Sequence, residues 1–203
     1  MLTTQRGREA DDREFKDAPL LMDTRKTTRE GFDGADVYNE ERLERLSKET
    51  GTPILAIRAL NKRPKGVTPD RMDAEQFRGL KAELRLCIGC RVLLNTNEWV
   101  AAGLANGATG WVRGFMFPPG FDPSADDTAL STPLCVIVEF DEVNLGKHAS
   151  GYDRSFFPGD ASKANYVPIY RPASVTASTD STISRSQFPL ELAWALAFLK
   201  AQG

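Results

Sequence analysis

The sequence predicts an α/β fold in which a short helix precedes a long series of β-strands. Within residues 36–48, Val37, Leu43 and Leu46 recur at near-helical intervals, which indicates an amphipathic helix. From Leu84 onward, short apolar runs are divided by glycine and proline, which is typical of a small β-barrel. The chain has 203 residues, of which 41 % are hydrophobic and 27 % are charged, and this composition is sufficient for a real core.

The elements before the β-series follow one another along the chain. Residues 1–17 are charged and unpatterned, so we expect a flexible extension. The apolar runs at 18–24 and 53–60 are bounded by charged or turn residues, which predicts two buried strands, one on each side of the helix. The basic segment that follows favours a solvated loop, although its cations also suit contact with a phosphate backbone. Those cations are Lys62, Arg63 and Lys65.

Turns and loops are also predicted within the β-series. Asn106-Gly107 is a strong turn pair, because both residues tolerate positive φ. Residues 118–132 and 144–163 hold most of the glycine, proline, serine and aspartate of this half, and we expect surface insertions there. Aromatic residues in the second insertion are suited either to stack on bases or to pack on the barrel. They are Tyr152, Phe156 and Phe157.

The cysteines allow two interpretations. The C-x-x-C at 87–90, together with Cys135 and His148, has the ligand types of a zinc site. The favoured alternative is that Ile88-Gly89 forms a tight bend between two strands, since apolar runs flank the pair. The odd number of cysteines fits a reducing compartment. We therefore predict no metal site.

The end of the chain is predicted to be a helix from Pro189 to Lys200, preceded by a strand-like segment. Proline suits the first turn of a helix, and Gly203 lies where a left-handed cap would follow. Apolar residues recur at helical spacing between these two points. They are Leu190, Ala193, Trp194, Ala197 and Phe198.

This end of the chain resembles the end of the second motor domain in Pif-one-type (petite integration frequency) DNA helicases and their RecD-like relatives. The family segment has the form QxPLxLAWAxTxHKSQG, and this chain has QFPLELAWALAFLKAQG. The chain departs from the family at Ala197, Leu199 and Ala201, where apolar groups replace three polar ones. The matching positions are Gln187, Pro189, Leu190, Leu192, Ala193, Trp194, Ala195, Lys200, Gln202 and Gly203.

Two earlier segments also carry the resemblance. The first strand, helix and second strand resemble the start of the same motor domain, whose helix bears an asparagine like Asn39. We expect Asn39 either to orient the neighbouring backbone or to be a solvated helix residue. The β-series resembles the Src-homology-three-like module inserted in these helicases. Its matching positions are Gly89, Arg91, Val92, Leu93, Asn97, Gly103, Leu104, Asn106, Gly107, Gly110, Val112, Gly114, Val138, Phe140 and Asp141.

The resemblance implies an α/β fold that is a partial RecA-like motor domain, of the P-loop NTPase type, with an inserted small antiparallel β-barrel. The first part of the motor domain is expected at 18–62 and a linker at 63–83. The barrel with its long loops is expected at 84–182, and a truncated terminal strand and helix at 183–203.

The resemblance also implies ATP-dependent 5′-to-3′ DNA unwinding in repair, recombination or telomere maintenance, with ATP and Mg²⁺ as cofactors of the full-length family. The chain has no Gly-Lys-Ser/Thr phosphate loop, so we expect no ATP hydrolysis by the chain alone. We expect it to need a missing first motor domain as partner and to supply one wall of a single-stranded DNA groove, with no catalytic residue. The expected DNA- or nucleotide-contacting residues are Lys200, Gln202, Gly203, Arg185, Gln187 and Asn97.

Two other function classes stay open. The net charge of −2 argues against a strongly basic nucleic-acid-binding domain but permits a local basic groove. One alternative is a non-catalytic barrel that binds single-stranded nucleic acid. The other is a protein-interaction barrel that presents Trp99, Trp111 and Phe115 as an exposed apolar patch.

The sequence also bears on where the protein resides. It contains no run of about eighteen apolar residues and no signal-peptide core. We therefore expect an intracellular protein with no membrane partner, located in the nucleus or mitochondrion if the source is eukaryotic.

Overall fold

The computed structural model describes residues 29–64, 66, 68, 72–121, 132–145, 156–172 and 174–196. These residues form one long helix, three short 3-10 turns and ten short strands in three antiparallel sheets. The α/β class predicted from the sequence is confirmed. The expected extension at 1–17 and the expected strand at 18–24 lie outside the described residues.

The helix α1 spans Arg29–Thr50, so it begins several residues before the predicted one. Leu43 and Leu46 are buried as predicted, because they occupy the face that meets the sheets. Val37, the third residue of the predicted apolar stripe, is 57 % exposed. The helix ends at Gly51, whose φ of +69° is the left-handed conformation that commonly stops a helix. Arg85 holds α1 through ion pairs with Glu40 and Glu44.

Two small sheets follow the helix. The predicted strand at 53–60 divides into β1 (Leu55–Arg58) and β2 (Leu60–Lys62). Strand β1 pairs with β3 (Glu83–Leu86). Strand β2 pairs with β9 (Ser184–Ser186), which also pairs with β8 (Val175–Thr176). The chain changes partners at Ala59, whose N–H donates to the carbonyl of Ala82 over 2.8 Å.

The largest sheet has the strand order β10-β4-β5-β6-β7. The predicted series of short β-runs is therefore confirmed. Its strands are β4 (Arg91–Leu94), β5 (Thr109–Met116), β6 (Cys135–Phe140), β7 (Tyr166–Tyr170) and β10 (Leu190–Leu192). The Asn106-Gly107 turn precedes β5 as predicted, and only its glycine has positive φ, at +97°.

The predicted helix at 189–200 is wrong for residues 190–196, where the structure has strand β10 and then an irregular segment. The backbone of β10 pairs with β4, and the N–H of Ala193 donates to the carbonyl of Arg91 over 3.0 Å. All three residues of β10 are buried, and a fully buried strand lacks the alternation that separates strand from helix. Residues 197–200 of the predicted helix lie outside the described residues.

This pairing bears on the expected domain division. Strand β10 belongs to the segment assigned to the motor domain, yet its partner β4 belongs to the segment assigned to the barrel insert. One apolar core extends from α1 through these strands to β7. The boundaries at 62, 83 and 182 stay a prediction. None of the described helices is long and apolar enough to cross a bilayer.

The candidate site at the end of strand β10

The side chain of Asn39 in helix α1 forms hydrogen bonds with the backbone at the end of strand β10. Asn39 is 3 % exposed. Its Nδ2 donates to the carbonyl oxygens of Leu192, over 3.2 Å, and of Ala195, over 2.9 Å. Its Oδ1 accepts from the N–H of Ala195 over 2.8 Å. Of the two expectations for Asn39, the structure therefore confirms that it orients neighbouring backbone.

A second contact from the same helix covers this segment. Arg42 lies one turn after Asn39, is buried, and places its guanidinium 5.7 Å from the ring centroid of Trp194. Such a cation–π contact favours a fixed ring position when it is desolvated. Residues 192–195 are thus fixed by side chains that lie more than 150 positions earlier in the chain.

The segment leads directly to the residues expected to contact DNA or nucleotide. Lys200, Gln202 and Gly203 lie outside the described residues, as do the departures Ala197, Leu199 and Ala201. The structure fixes the backbone from which this stretch starts.

Arg185 does not occupy a surface position. Its side chain is 0 % exposed, and its Nη1 donates to the carbonyl of Leu80 over 2.8 Å. Its Nε donates to Oδ1 of Asn61 over 3.2 Å, and its guanidinium lies 4.1 Å from the ring centroid of Phe77. The guanidinium therefore joins strands β2 and β9 to the small core around Phe77.

Gln187 is also fully buried. Its Nε2 donates to the carbonyl of Ile57 over 2.8 Å, and its Oε1 accepts from the N–H of Phe188 over 3.0 Å. The amide thus ties β1 to the chain that enters β10. The expectation that Arg185 and Gln187 contact DNA is corrected here, because both side chains are fully buried and their polar atoms bond to groups of the protein interior.

Asn97 lies on the surface, and its Oδ1 accepts from the N–H of Asn106 over 2.8 Å. The side chain therefore stabilises the Asn106-Gly107 turn, a structural role that asparagine commonly fills. Its contact with DNA stays a prediction.

The predicted apolar patch of Trp99, Trp111 and Phe115 is not formed. Trp111 is buried, while Trp99 and Phe115 are half-buried and pack against the core. Arg91 lies 4.7 Å from the ring centroid of Trp111. The protein-interaction alternative therefore loses the surface on which it depended.

The arginine over Trp111 belongs to a polar cluster whose hydrogen bonds the sequence did not predict, although Arg91 and Asp141 are among the positions that match the helicase module. The buried Arg91 makes a two-pronged ion pair with Asp141, and Thr109 Oγ1 accepts from Arg91 Nη2 over 3.0 Å. The same hydroxyl donates to Asp141 over 2.7 Å. These bonds connect β4, β5 and the end of β6, so the cluster stabilises the sheet.

The C-x-x-C forms the tight bend that was favoured. The N–H of Cys90 donates to the carbonyl of Cys87 over 3.2 Å, and Gly89 has a φ of +88°. Both thiols are free and buried. A hydrogen bond from Cys90 lowers the pKa of Cys87, whereas burial raises the pKa of Cys90 well above its ordinary value.

The zinc set considered from sequence is not assembled among the described residues, where no three potential His, Cys, Asp or Glu ligands come together. His148 lies outside them. Burial also raises the pKa of Cys135, the third thiol.

For the aromatic residues of the second insertion, the structure shows packing at one position, and base stacking stays a prediction. Phe157 packs edge to face on Tyr166, with ring centroids 6.0 Å apart. Phe156 is exposed, and Tyr152 lies outside the described residues.

Comparison with known proteins gives three findings. No family model matches the chain. An ATP-dependent DNA helicase PIF7 from Trypanosoma brucei brucei is 33 % identical over 123 residues, which are 57 % of this chain and 12 % of that protein. The chain thus spans about an eighth of that relative's length.

Solved structures supply the third finding. A crystal structure of Pif1 helicase from Candida albicans matches 88 % of this chain and 36 % of its own, with 20 % identity and a TM-score of 0.52. Bacteroides Pif1 bound to single-stranded DNA matches 81 % of this chain and 30 % of its own, with 19 % identity and a TM-score of 0.40. The Candida albicans match shows that the chain shares the fold of part of that helicase.

Proposed function

We propose that this chain, which is a homologue of part of the Pif-one-type (Pif1) DNA helicases, supplies one wall of the single-stranded DNA groove in an ATP-dependent 5′-to-3′ helicase. The observation that carries the proposal is the 33 % identity over 123 residues with a DNA helicase. The terminal KAQG at 200–203 supports it.

The geometry of strand β10 supports this role. Binding groups must be held by rigid neighbours to act at a fixed position, and Asn39 supplies three hydrogen bonds to the backbone five to eight residues before Lys200. In the proposed groove Lys200 neutralises a phosphate and Gln202 bonds the strand or nucleotide. The polar amide of Asn39 is thus a positioning group and not a DNA contact.

We propose that this chain does not bind ATP and Mg²⁺ alone. The sequence has no Gly-Lys-Ser/Thr loop to hold phosphates, and the described residues contain no cluster of metal ligands. We propose that a first motor domain supplies both sites as the partner of this chain. Action in repair, recombination or telomere maintenance, in the nucleus or mitochondrion, belongs to the same proposal.

The test measures DNA binding and ATP turnover by the purified chain. A dye-labelled oligothymidylate is titrated at increasing salt, and anisotropy is expected to report binding that weakens as salt rises. No ATP turnover is expected with or without DNA. Lys200→Ala should weaken binding, whereas Lys48→Ala at the end of α1 should not. Absence of binding at low salt contradicts the DNA role, and turnover contradicts the need for a partner domain.

A further inference from the structure

The C-x-x-C at 87–90 places two thiols at the two ends of one tight turn. The N–H of Cys90 donates to the carbonyl of Cys87 over 3.2 Å, and Gly89 in the third position has a φ of +88°, as a type II turn requires. The Cα atoms at the ends of a β-turn are less than about 7 Å apart. A disulfide joins residues whose Cα atoms are about 4.4–6.8 Å apart. The backbone of the turn is therefore compatible with a disulfide between its two ends.

The two thiol side chains contact each other in the folded protein. Both are free thiols, and the hydrogen bond from Cys90 lowers the pKa of Cys87. Burial raises the pKa of Cys90 well above its ordinary value. Because the thiolate is the nucleophile, Cys87 is the thiol of the pair that reacts first.

The turn lies at a junction between two sheets. It directly follows strand β3, which pairs with β1, and it directly precedes strand β4, which pairs with β5 and β10. The N–H of Gly89 donates to the carbonyl of Val112 over 2.8 Å, and the N–H of Val112 donates to the carbonyl of Cys90 over 3.0 Å. The positions of the two thiols are thus set by hydrogen bonds of the turn and of β5.

Solvent lies one residue away from the pair. Ile88 between the thiols is 47 % exposed, although the thiols themselves have no exposed surface. Turns open locally at a lower free energy than core strands do, and hydrogen peroxide is a small, uncharged molecule that enters through such an opening. The third thiol differs, because Cys135 is hydrogen-bonded to Met116 and Tyr170 and not to another cysteine.

We propose that Cys87 and Cys90 are a redox modification site, at which a peroxide converts the two thiols to a disulfide and a dithiol restores them. The inference goes beyond the proposed function and does not depend on it, because it concerns only the thiols of the chain and their oxidant.

The chemistry is a two-electron oxidation in two steps. The thiolate of Cys87 attacks one oxygen of the peroxide, the O–O bond breaks, hydroxide leaves and the sulfur becomes a sulfenic acid. Sγ of Cys90 then attacks Sγ of Cys87, the S–O bond breaks, and the proton of Cys90 passes to the hydroxide that leaves. With the proton that Cys87 had released, two thiols and one peroxide give one disulfide and two waters. A dithiol reverses the change by thiol–disulfide exchange and becomes a disulfide itself.

The test treats the folded full chain with hydrogen peroxide in buffer and then counts the remaining thiols. After catalase has removed the peroxide, the chain is unfolded in urea with iodoacetamide and cleaved with trypsin. Cleavage after Arg85 and Arg91 leaves both cysteines in the peptide 86–91. We expect this peptide to lose two hydrogens and to carry no alkyl group. Alkylation of the whole chain should fall from three thiols to one, and dithiothreitol should restore it.

Two variants make the assignment specific. Cys90→Ser keeps a hydrogen-bond donor but removes the second sulfur, so Cys87 is expected to stop at the sulfenic acid, which dimedone traps. Cys135→Ala is the matched control and is expected to form the same disulfide to the same extent.

Thermal unfolding of the oxidised chain tests the geometry of the turn. A disulfide that fits the folded turn restricts mainly the unfolded chain, so the melting temperature of the oxidised chain should equal or exceed that of the reduced chain. A lower melting temperature would overturn the inference, because it would show that the folded turn does not accommodate the bond.

The other outcomes are equally distinct. The inference is overturned if the peptide 86–91 is still fully alkylated after peroxide, or if its disulfide forms in urea but not in buffer. A disulfide that includes Cys135 or a second chain would also overturn it. None of these results concerns DNA binding, so failure of this inference and failure of the proposed function are distinguishable.

Discussion

Asn39 and Ala195 form two reciprocal hydrogen bonds between a helix and a backbone segment that lie 156 positions apart. A side-chain amide is suited to this because it carries both donors and acceptors. The pair connects the early helix to the backbone at the exit of β10.

Asn39→Ala is expected to lower the free energy of unfolding by about 2–3 kcal/mol, because backbone groups of the buried Leu192 and the half-buried Ala195 lose these hydrogen bonds. Urea unfolding followed by circular dichroism measures the change. Glu41→Ala, on the exposed side of the same helix, is the control and should change stability little. Equal stability of the Asn39 variant and the unmodified chain would contradict a stabilising role of these hydrogen bonds.

Gln187→Leu is expected to destabilise the fold by about 1–3 kcal/mol, since the carbonyl of Ile57 and the N–H of Phe188 lose their partners. Where the variant is still folded, its affinity for single-stranded DNA should equal that of the unmodified chain. Unfolding and anisotropy titrations together distinguish the structural role from the contact first expected. Lost affinity with unchanged stability would instead support the DNA contact that the sequence predicted for Gln187.

Gly110→Ala is expected to cost about 1–3 kcal/mol from overpacking, because a Cβ there would lie 2.5 Å from the carbonyl oxygen of Glu139. Gly114→Ala on the same strand is the matched control, since its Cβ would meet Ile137 at an ordinary 3.8 Å. The difference between the two melting temperatures is the measurement. Equal temperatures would show that β5 and β6 are less closely packed than the structure has them.

The three thiols should resist iodoacetamide in the folded protein. Cys87, Cys90 and Cys135 have no exposed surface, and burial raises the pKa of Cys90 and of Cys135, which lowers the amount of the reactive thiolate. Time-resolved alkylation at mildly alkaline pH, read by peptide mass spectrometry, should modify all three thiols much faster in urea than in buffer. Equal rates in urea and in buffer would contradict the burial of these thiols.

Local pattern was sufficient for some elements and insufficient for others. Leu43 and Leu46 identified α1 because an amphipathic stripe is a property of neighbouring residues. Asn39 lies four residues before Leu43 on that same stripe, so its burial had a signal in the sequence. Its partners did not, because nothing near position 39 specifies a backbone 156 residues away.

The errors at Arg185, Gln187 and β10 have related causes. Charged and amide side chains are mostly exposed. Here they are buried because backbone carbonyls that are distant in sequence, those of Leu80 and Ile57, accept their hydrogen bonds. The apolar spacing of Leu190, Ala193 and Trp194 fits a helix, but it also fits a strand covered on both faces. Tertiary contacts with β4 and α1 decided between the two.

The distance along the chain between α1 and β10 also has a kinetic consequence. Contacts of large sequence separation slow folding, because the long intervening loop must close before they form. During synthesis the ribosome must deliver residue 195 before the amide at position 39 meets its partners. The side of α1 that contacts β10 therefore lacks these contacts until the intervening chain has been synthesised.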